Sequence, residues 1–303
     1  MMKGIILAGG NGTRLQPLTL TGSKQLVPVY DKPMIYYPLS VLMFAGIRDI
    51  LIISRPTELP QFRQLFGDGR RLGLNVSYAS QEKPRGIADA FRVGADHIRG
   101  EECALILGDN LFHGANLPAL LRRSVQRLRG CVLFGHEVAD PRHFGVAEID
   151  ERGRLLSIEE KPERPRSNLA IPGLYLFDGG VVDVAKRLVP SARGELEITD
   201  VLRAYLEEGT ADLVWLGRGV TWLDTGTHET LLDAGRMVRD VQHYQGTRLG
   251  CVEEIAMYMG FIGADECYTL GTEMSNSPYG QYVMDRARSY RQGLPPARFL
   301  EEI

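Results

Sequence analysis

Short runs of aliphatic and β-branched residues recur along the first half of the chain, alternating with segments whose apolar positions repeat at helical spacing. Ile5 to Leu7, Ile50 to Ile53, Val76 to Ala79, Ala104 to Leu107 and Val132 to Phe134 read as strands. Each is short and apolar enough to be buried on both faces. Between them, Met34 to Ala45 reads as a helix ended by Gly46, and Leu117, Leu120, Leu121, Val125 and Leu128 mark one face of another. Pro38 lacks the N–H that a helix interior needs, so the first of these helices is expected to kink or to start late. Alternation of this kind predicts crossover units and an α/β fold around a central, mostly parallel sheet flanked by helices.

From Gly145 to about Phe177 the pattern shifts to shorter extended segments broken by Lys161-Pro162, Arg164-Pro165 and Ile171-Pro172-Gly173, which predicts an inserted antiparallel region. Helices resume over Val181 to Leu188 and Asp200 to Leu206, and a strand and turn at Val220 to Asp224 precede a long helix starting near Thr227. Beyond Gly246 the apolar periodicity weakens. The expected organisation is a main domain over 1–246 and a mainly helical appendage over 247–303.

Charge changes the picture by exclusion. A formal net charge of -3, with Lys and Arg scattered, gives no electrostatic footprint for nucleic acid or an anionic membrane, so any phosphate chemistry must be local. Cys103, Cys131, Cys251 and Cys267 lie too far apart for a zinc knuckle or a C-x-x-C redox pair. The apolar run Gly4 to Ala8 is too short for a signal-peptide core, and no segment approaches a membrane span. A cytoplasmic protein is expected.

The strongest chemical signal is Leu7-Ala8-Gly9-Gly10-Asn11-Gly12-Thr13-Arg14-Leu15, followed by Ser23-Lys24-Gln25-Leu26. A Gly-rich turn at the end of a first strand lets backbone N–H groups approach an anion, and Arg14 with Lys24 supplies the charge to neutralise a polyphosphate. The rival motifs fail: a Walker loop needs Gly-Lys-Ser/Thr after four residues, and a dinucleotide fingerprint needs Gly where Leu15 stands. Asp109 and Asp224 each close a strand, which in a parallel sheet turns both toward the crevice at the strand carboxyl ends. Glu195, Glu197 and Asp200 read as structural, with Thr199 or a neighbour capping the next helix. The six histidines are dispersed, and no zincin pattern occurs.

These motifs resemble the signature of the sugar nucleotidylyltransferases, and in particular of the bacterial glucose-1-phosphate thymidylyltransferases. Asp31 to Leu39, Leu107-Gly108-Asp109-Asn110, Glu159-Glu160-Lys161-Pro162, Gly194 to Asp200 and Trp222 to Thr227 continue the match, in order, through roughly the first 250 residues. The resemblance implies a Rossmann-like sheet of the nucleotide-diphospho-sugar transferase type and transfer of dTMP from dTTP to glucose 1-phosphate. It assigns Leu7, Gly9, Gly10, Gly12, Thr13, Arg14, Gln25, Gln81, Gly86 and Asp109 to the nucleotide. Gly145, Glu160, Lys161, Ile171 and Trp222 fall to the sugar phosphate, and the antiparallel region becomes the sugar side. Asp109 and Asp224 are implied to hold Mg2+, and Arg14, Lys24, Asp109 and Lys161 to carry catalysis. A Gln amide suits the O4/N3–H edge of thymine or uracil, and it separates the two poorly. Relatives on this fold that use UTP, ATP or GTP, and a non-catalytic regulatory subunit, stay open at this point.

Two departures stand out: Phe144 where many relatives carry Tyr, and Arg85 beside the base position. The appendage is similar to that of the long thymidylyltransferases, which implies a homotetramer with feedback by dTDP-rhamnose or another dTDP-sugar.

Overall fold

In the computed structural model, residues 2–10 and 12–293 are described; the end of the expected appendage, 294–303, lies outside the described residues. The first apolar run forms β1 (Lys3–Leu7), and a two-residue hairpin, β2 (Pro28–Val29) with β3 (Lys32–Pro33), leads into α1 (Tyr36–Phe44). The chain then alternates through β4 (Asp49–Ser54), α2 (Leu59–Phe66), β5 (Asn75–Ser80), α3 (Asp89–Val93), α4 (Ala95–Ile98) and β6 (Cys103–Leu107). β5, β4, β1 and β6 lie side by side and all parallel, with Lys3 opposite both Asp49 and Cys103. Their carboxyl ends form one rim, where the Gly-rich turn and Asp109 emerge.

The second half adds β7 (Asn110–His113), α5 (Leu117–Gln126), β8 (Cys131–Glu137), β9 (Gly145–Ile149), β10 (Leu155–Glu160), β11 (Leu169–Ile171) and β12 (Leu174–Phe177). α6 (Val181–Arg187) and α7 (Ile198–Glu207) then lead to β13 (Ala211–Trp215) and β14 (Thr221–Asp224). β12 runs antiparallel to both β6 and β8, so β8 points with the parallel strands, and β13 joins it in the same direction. The expected antiparallel region is present as β9, β10 and β11, but it continues the same sheet. The reason is local: only Pro172 and Gly173 separate β11 from β12, and β8 pairs β12 through Cys131–Leu133 and β11 through His136–Glu137.

Alternate residues of each central strand feed two different cores, as expected for strands buried on both faces. Ile6, Ile52, Ile106, Phe134 and Leu176 point to the side of α1 and α5. Ile5, Ile53, Leu105, Leu133 and Phe177 point to the side of α3, α6 and α7. All four cysteines are buried and free.

The helix expected over Met34 to Ala45 starts late, at Tyr36. Pro38 therefore sits in the first turn, among the N–H positions that have no partner inside a helix, and the helix needs no kink. Every residue from Tyr37 to Met43 is buried. A helix buried all round has packing on both sides. One side of α1 is the sheet; the other is the C-terminal segment, where α8 (His228–Gln245), α9 (Val252–Tyr258), α10 (Ala264–Thr272) and α11 (Pro278–Arg291) follow. Thr227 and Thr230 cap α8 reciprocally. Val252, Ile255, Met257, Val283 and Ala287 belong to the same core cluster as Leu39 and Leu42 of α1.

α9 also buries two acids. Glu253 accepts from Tyr279 Oη at 2.7 Å, and both Glu254 oxygens accept from Tyr282 Oη at 2.9 Å. Burial pushes the Glu254 carboxyl up to about 7, against 4.5 for an ordinary Glu. A carboxyl raised on folding contributes stability that is fully present below the unfolded value and is lost as pH rises through the folded one. Glu254→Gln is therefore expected to stabilise the protein by about 2 kcal/mol at pH 8 and to change little near pH 4. Urea melts at the two pH values check this.

Candidate active site

The two aspartates are brought together by a strand pair that the sequence pattern did not show. β7 begins directly after Asp109 and pairs antiparallel with β14, placing Asn110 opposite Asp224. Thr225 closes the junction, donating its N–H at 3.1 Å and its hydroxyl at 2.8 Å to the Asp109 carbonyl. Asp109 and Asp224 then share one cavity of about 190 Å3 with Arg14, Lys161 and Trp222.

Charge in this cavity is arranged in opposition. Lys24, almost wholly buried, sets its Nζ 2.5 Å from Asp109 Oδ2. Burial pushes the Asp109 carboxyl up, but the Lys24 charge and hydrogen bonds from Lys24 and Asn110 outweigh it and hold the group below the usual carboxylate range. Asp224 has no such ion pair among the described residues. Burial, then the charge of Asp109, push it up to about 6. Arg14 stands close by, since a Cβ built on Gly226 would lie 3.1 Å from Arg14 Nη2 and 3.3 Å from either Asp224 oxygen. Two hard carboxylates, one of them raised by the other's charge, fit a divalent cation that takes one or two protein carboxylates and fills its shell with water and phosphate oxygens. No group of three or more His, Cys, Asp or Glu able to hold a metal forms among the described residues.

The residues expected from the sequence to hold the sugar phosphate line the same cavity. Gly145 opens β9 opposite Ile171 of β11 and Glu160 of β10, so three neighbouring strand positions face inward together. Burial pushes the Glu160 carboxyl up, with Lys161, Glu197 and Arg193 around it. Lys161 takes a left-handed backbone (φ 45) and donates its N–H to the Phe144 carbonyl at 3.0 Å, which turns the chain sharply at the cavity wall. Phe144 lies edge-on to Trp222 at 4.9 Å between ring centroids.

Of the residues expected from the sequence to hold the nucleotide, Arg14 and Asp109 line this same cavity. Leu7 ends β1, and its carbonyl accepts the Gly108 N–H at 2.9 Å. Gly9 comes so close to the Gln81 side chain that a Cβ there would sit 3.0 Å from Oε1. Gly10 has open space on its Cβ side among the described residues, and Thr13 and Arg14 form an exposed turn after Gly12. Gln25 is buried: its Oε1 accepts from Ser23 Oγ at 2.7 Å, and its Cγ lies 2.7 Å from where Gly108 would carry a Cβ. Gln81 and Asp89 open onto a second, wider groove of about 510 Å3 bordered by Lys83 and Arg85. Gly86 (φ 104) is pressed against the Leu196 backbone rather than open to the groove.

Sequence reasoning missed Asn110 as an organiser. Its Oδ1 accepts from Trp222 Nε1 at 2.7 Å and from the Gly173 N–H at 3.0 Å, while its Nδ2 donates to Asp109 at 3.0 Å. The signal was present: a buried Asn at a strand start beside an Asp must be hydrogen-bonded by something. The capping expectation is corrected. α7 starts at Ile198 with no side-chain cap, because Glu197, at the N-cap, turns to Ser191 and Arg193 instead. Glu195 and Asp200 pair with Arg193 and Arg203, in agreement with a structural acidic cluster.

A parallel sheet whose carboxyl rim gathers a Gly-rich turn, two cations and two aspartates defines a phosphate-transferring α/β enzyme. The chain belongs to the nucleotidyl transferase family, whose model matches residues 3–241, and within it to the glucose-1-phosphate thymidylyltransferases. The glucose-1-phosphate thymidylyltransferase of Xanthomonas campestris pv. campestris (strain B100) is 52% identical over 286 residues, 94% of this chain and 97% of that protein. That of Mycobacterium tuberculosis (strain ATCC 25618 / H37Rv) is 49% identical over 284 residues, covering 94% and 98%. A Bacillus anthracis structure carrying the same enzyme name, in complex with sucrose, superposes with a TM-score of 0.73 at 40% identity, over 79% of this chain and 96% of that one. A UDP-glucose pyrophosphorylase at 24% identity shares the fold with a TM-score of 0.70. No helix among the described residues is long and apolar enough to cross a membrane.

Proposed function

We infer that the protein joins dTTP and α-D-glucose 1-phosphate into dTDP-glucose and pyrophosphate, with Mg2+ as the metal, in the cytoplasm. The observation that carries this reading is the convergence of Asp109, Asp224, Arg14 and Lys161 on one cavity at the carboxyl rim of the parallel strands. A phosphate oxygen of the sugar phosphate attacks the α-phosphorus, the bond from that phosphorus to the bridging oxygen breaks, and pyrophosphate departs. Direct displacement needs alignment and charge rather than a protein nucleophile. Arg14 steadies the β- and γ-phosphates from the exposed turn, Lys24 orients the departing pyrophosphate, and Lys161 draws the sugar phosphate toward the α-phosphorus. When bound, the metal held by Asp109 and Asp224 spreads the charge that develops.

Pyrophosphate release measured with magnesium, glucose 1-phosphate and each of dTTP, UTP, ATP and GTP tests the reading. Turnover led by dTTP is expected, and no turnover with any of them would overturn it.

The regulatory part of the proposal is a homotetramer inhibited by a dTDP-deoxysugar such as dTDP-rhamnose. Mass in solution and inhibition by dTDP-rhamnose check both parts.

A further inference from the structure

We propose that Asp89 is a positioning residue that fixes the Gln81 amide in one orientation, so that the site accepts a base edge carrying an N–H donor and rejects one carrying an acceptor there. The inference rests on the assignment of Gln81 to the base of the nucleotide.

Gln81 follows β5 directly, and its N–H continues the ladder by donating to the Ser54 carbonyl at 2.9 Å. Its backbone is therefore pinned, and only the side-chain amide retains a choice. Gln81 Nε2 donates to Asp89 Oδ2 at 2.8 Å, and both side chains are buried. A carboxylate only accepts hydrogen bonds. Turning the amide over would set Gln81 Oε1 against the Asp89 oxygen, two acceptors in contact in a buried place, with the desolvation cost of an unmade bond. Asp89 thus dictates which end of the amide faces inward: Oε1 lies toward Gly9, at the turn that leads into the phosphate cradle.

Asp89 has an ordinary alternative, since it is the first residue of α3 and acids favour that end of a helix. The hydrogen bond to Gln81 sets it apart: none is formed from its carboxylate to a backbone N–H among the described residues.

The fixed amide offers an acceptor and, through the second hydrogen on Nε2, a donor. Thymine and uracil present N3–H beside O4 and match both. Cytosine presents N3 as an acceptor beside a donor amine and needs the amide reversed, which Asp89 forbids. The device therefore selects imide bases as a class and is blind to the methyl group that separates thymine from uracil.

The experiment compares dTTP with dCTP on the full-length protein, as kcat/KM in the pyrophosphate-release assay and as affinity by titration calorimetry. Asp89→Asn offers an amide that can face Gln81 in either orientation, and it is expected to shrink the dTTP preference at least about 10-fold, through KM more than kcat. Asp89→Glu keeps a carboxylate toward Nε2 and is expected to keep the preference. An unchanged preference in Asp89→Asn, or an equal loss in both variants, overturns the proposal. Absence of turnover by the unaltered protein with dTTP would count against the thymidylyltransferase reading alone, because the calorimetric ratio still reports on Asp89.

Discussion

Asp109→Asn is expected to lower pyrophosphate release from dTTP and glucose 1-phosphate by about three orders of magnitude, and Asp224→Asn by a similar factor. The change keeps shape and volume. It removes the charge that Lys24 opposes at 2.5 Å and leaves one aspartate of the pair at the cavity. The two positions are expected to fail together because β7 and β14 hold them as one unit, with Asn110 opposite Asp224. Steady-state assays across a magnesium titration are the check. If both variants kept near-normal turnover at limiting magnesium, the metal assignment would fall and Arg14 with Lys161 would have to carry the charge alone.

Gly86→Ala is expected to destabilise the fold by about 3 kcal/mol or more and to raise the KM for dTTP at the same time. Gly86 has a φ of 104, which side-chain-bearing residues rarely adopt, and an added Cβ would lie 2.4 Å from the Leu196 carbonyl oxygen and 2.6 Å from its nitrogen. Neither backbone can step aside. Leu196 donates its N–H to Arg85 at 2.7 Å and accepts from Ala88 at 3.1 Å, locking the two segments on either side of the glycine. Relief must come from the segment between Gln81 and Asp89, which carries the base-side amide. Urea melts and a kcat against KM comparison measure the two effects, and a variant that lost stability with KM intact would separate Gly86 from the nucleotide side.

Much of this was legible before any coordinates because the chemistry sits in contiguous motifs. The Gly-rich turn, the Asp109 run and the Trp222 to Thr227 run each carry several site residues within a few positions, and the parallel strands are plain apolar runs. Other parts depend on pairings between distant segments. Nothing in Leu107-Gly108-Asp109-Asn110 says that β7 will pair with β14, and without that ladder the convergence of the two aspartates was only an expectation. Asp89 sits in a short helix where an acid is unremarkable, so its bond to Gln81 had no sequence signal. The elements after Gly246 resisted placement for a different reason. α9 buries Glu253 and Glu254 among apolar side chains, and their tyrosine partners arrive from α11, so the polar and apolar positions of that segment do not mark its outside and inside.

That same segment has a consequence for anyone recombining relatives. Because α9 covers the side of α1 turned away from the sheet, and Arg248 pairs with Asp31 just ahead of α1, the C-terminal helices are half of a two-sided clamp on the helix that follows the cradle. A graft of one protein's tail onto another's catalytic body would set two unmatched surfaces against each other, with Tyr37 to Met43 exposed to the misfit. The exchangeable unit is the tail together with α1, and natural variation in one is expected to travel with variation in the other.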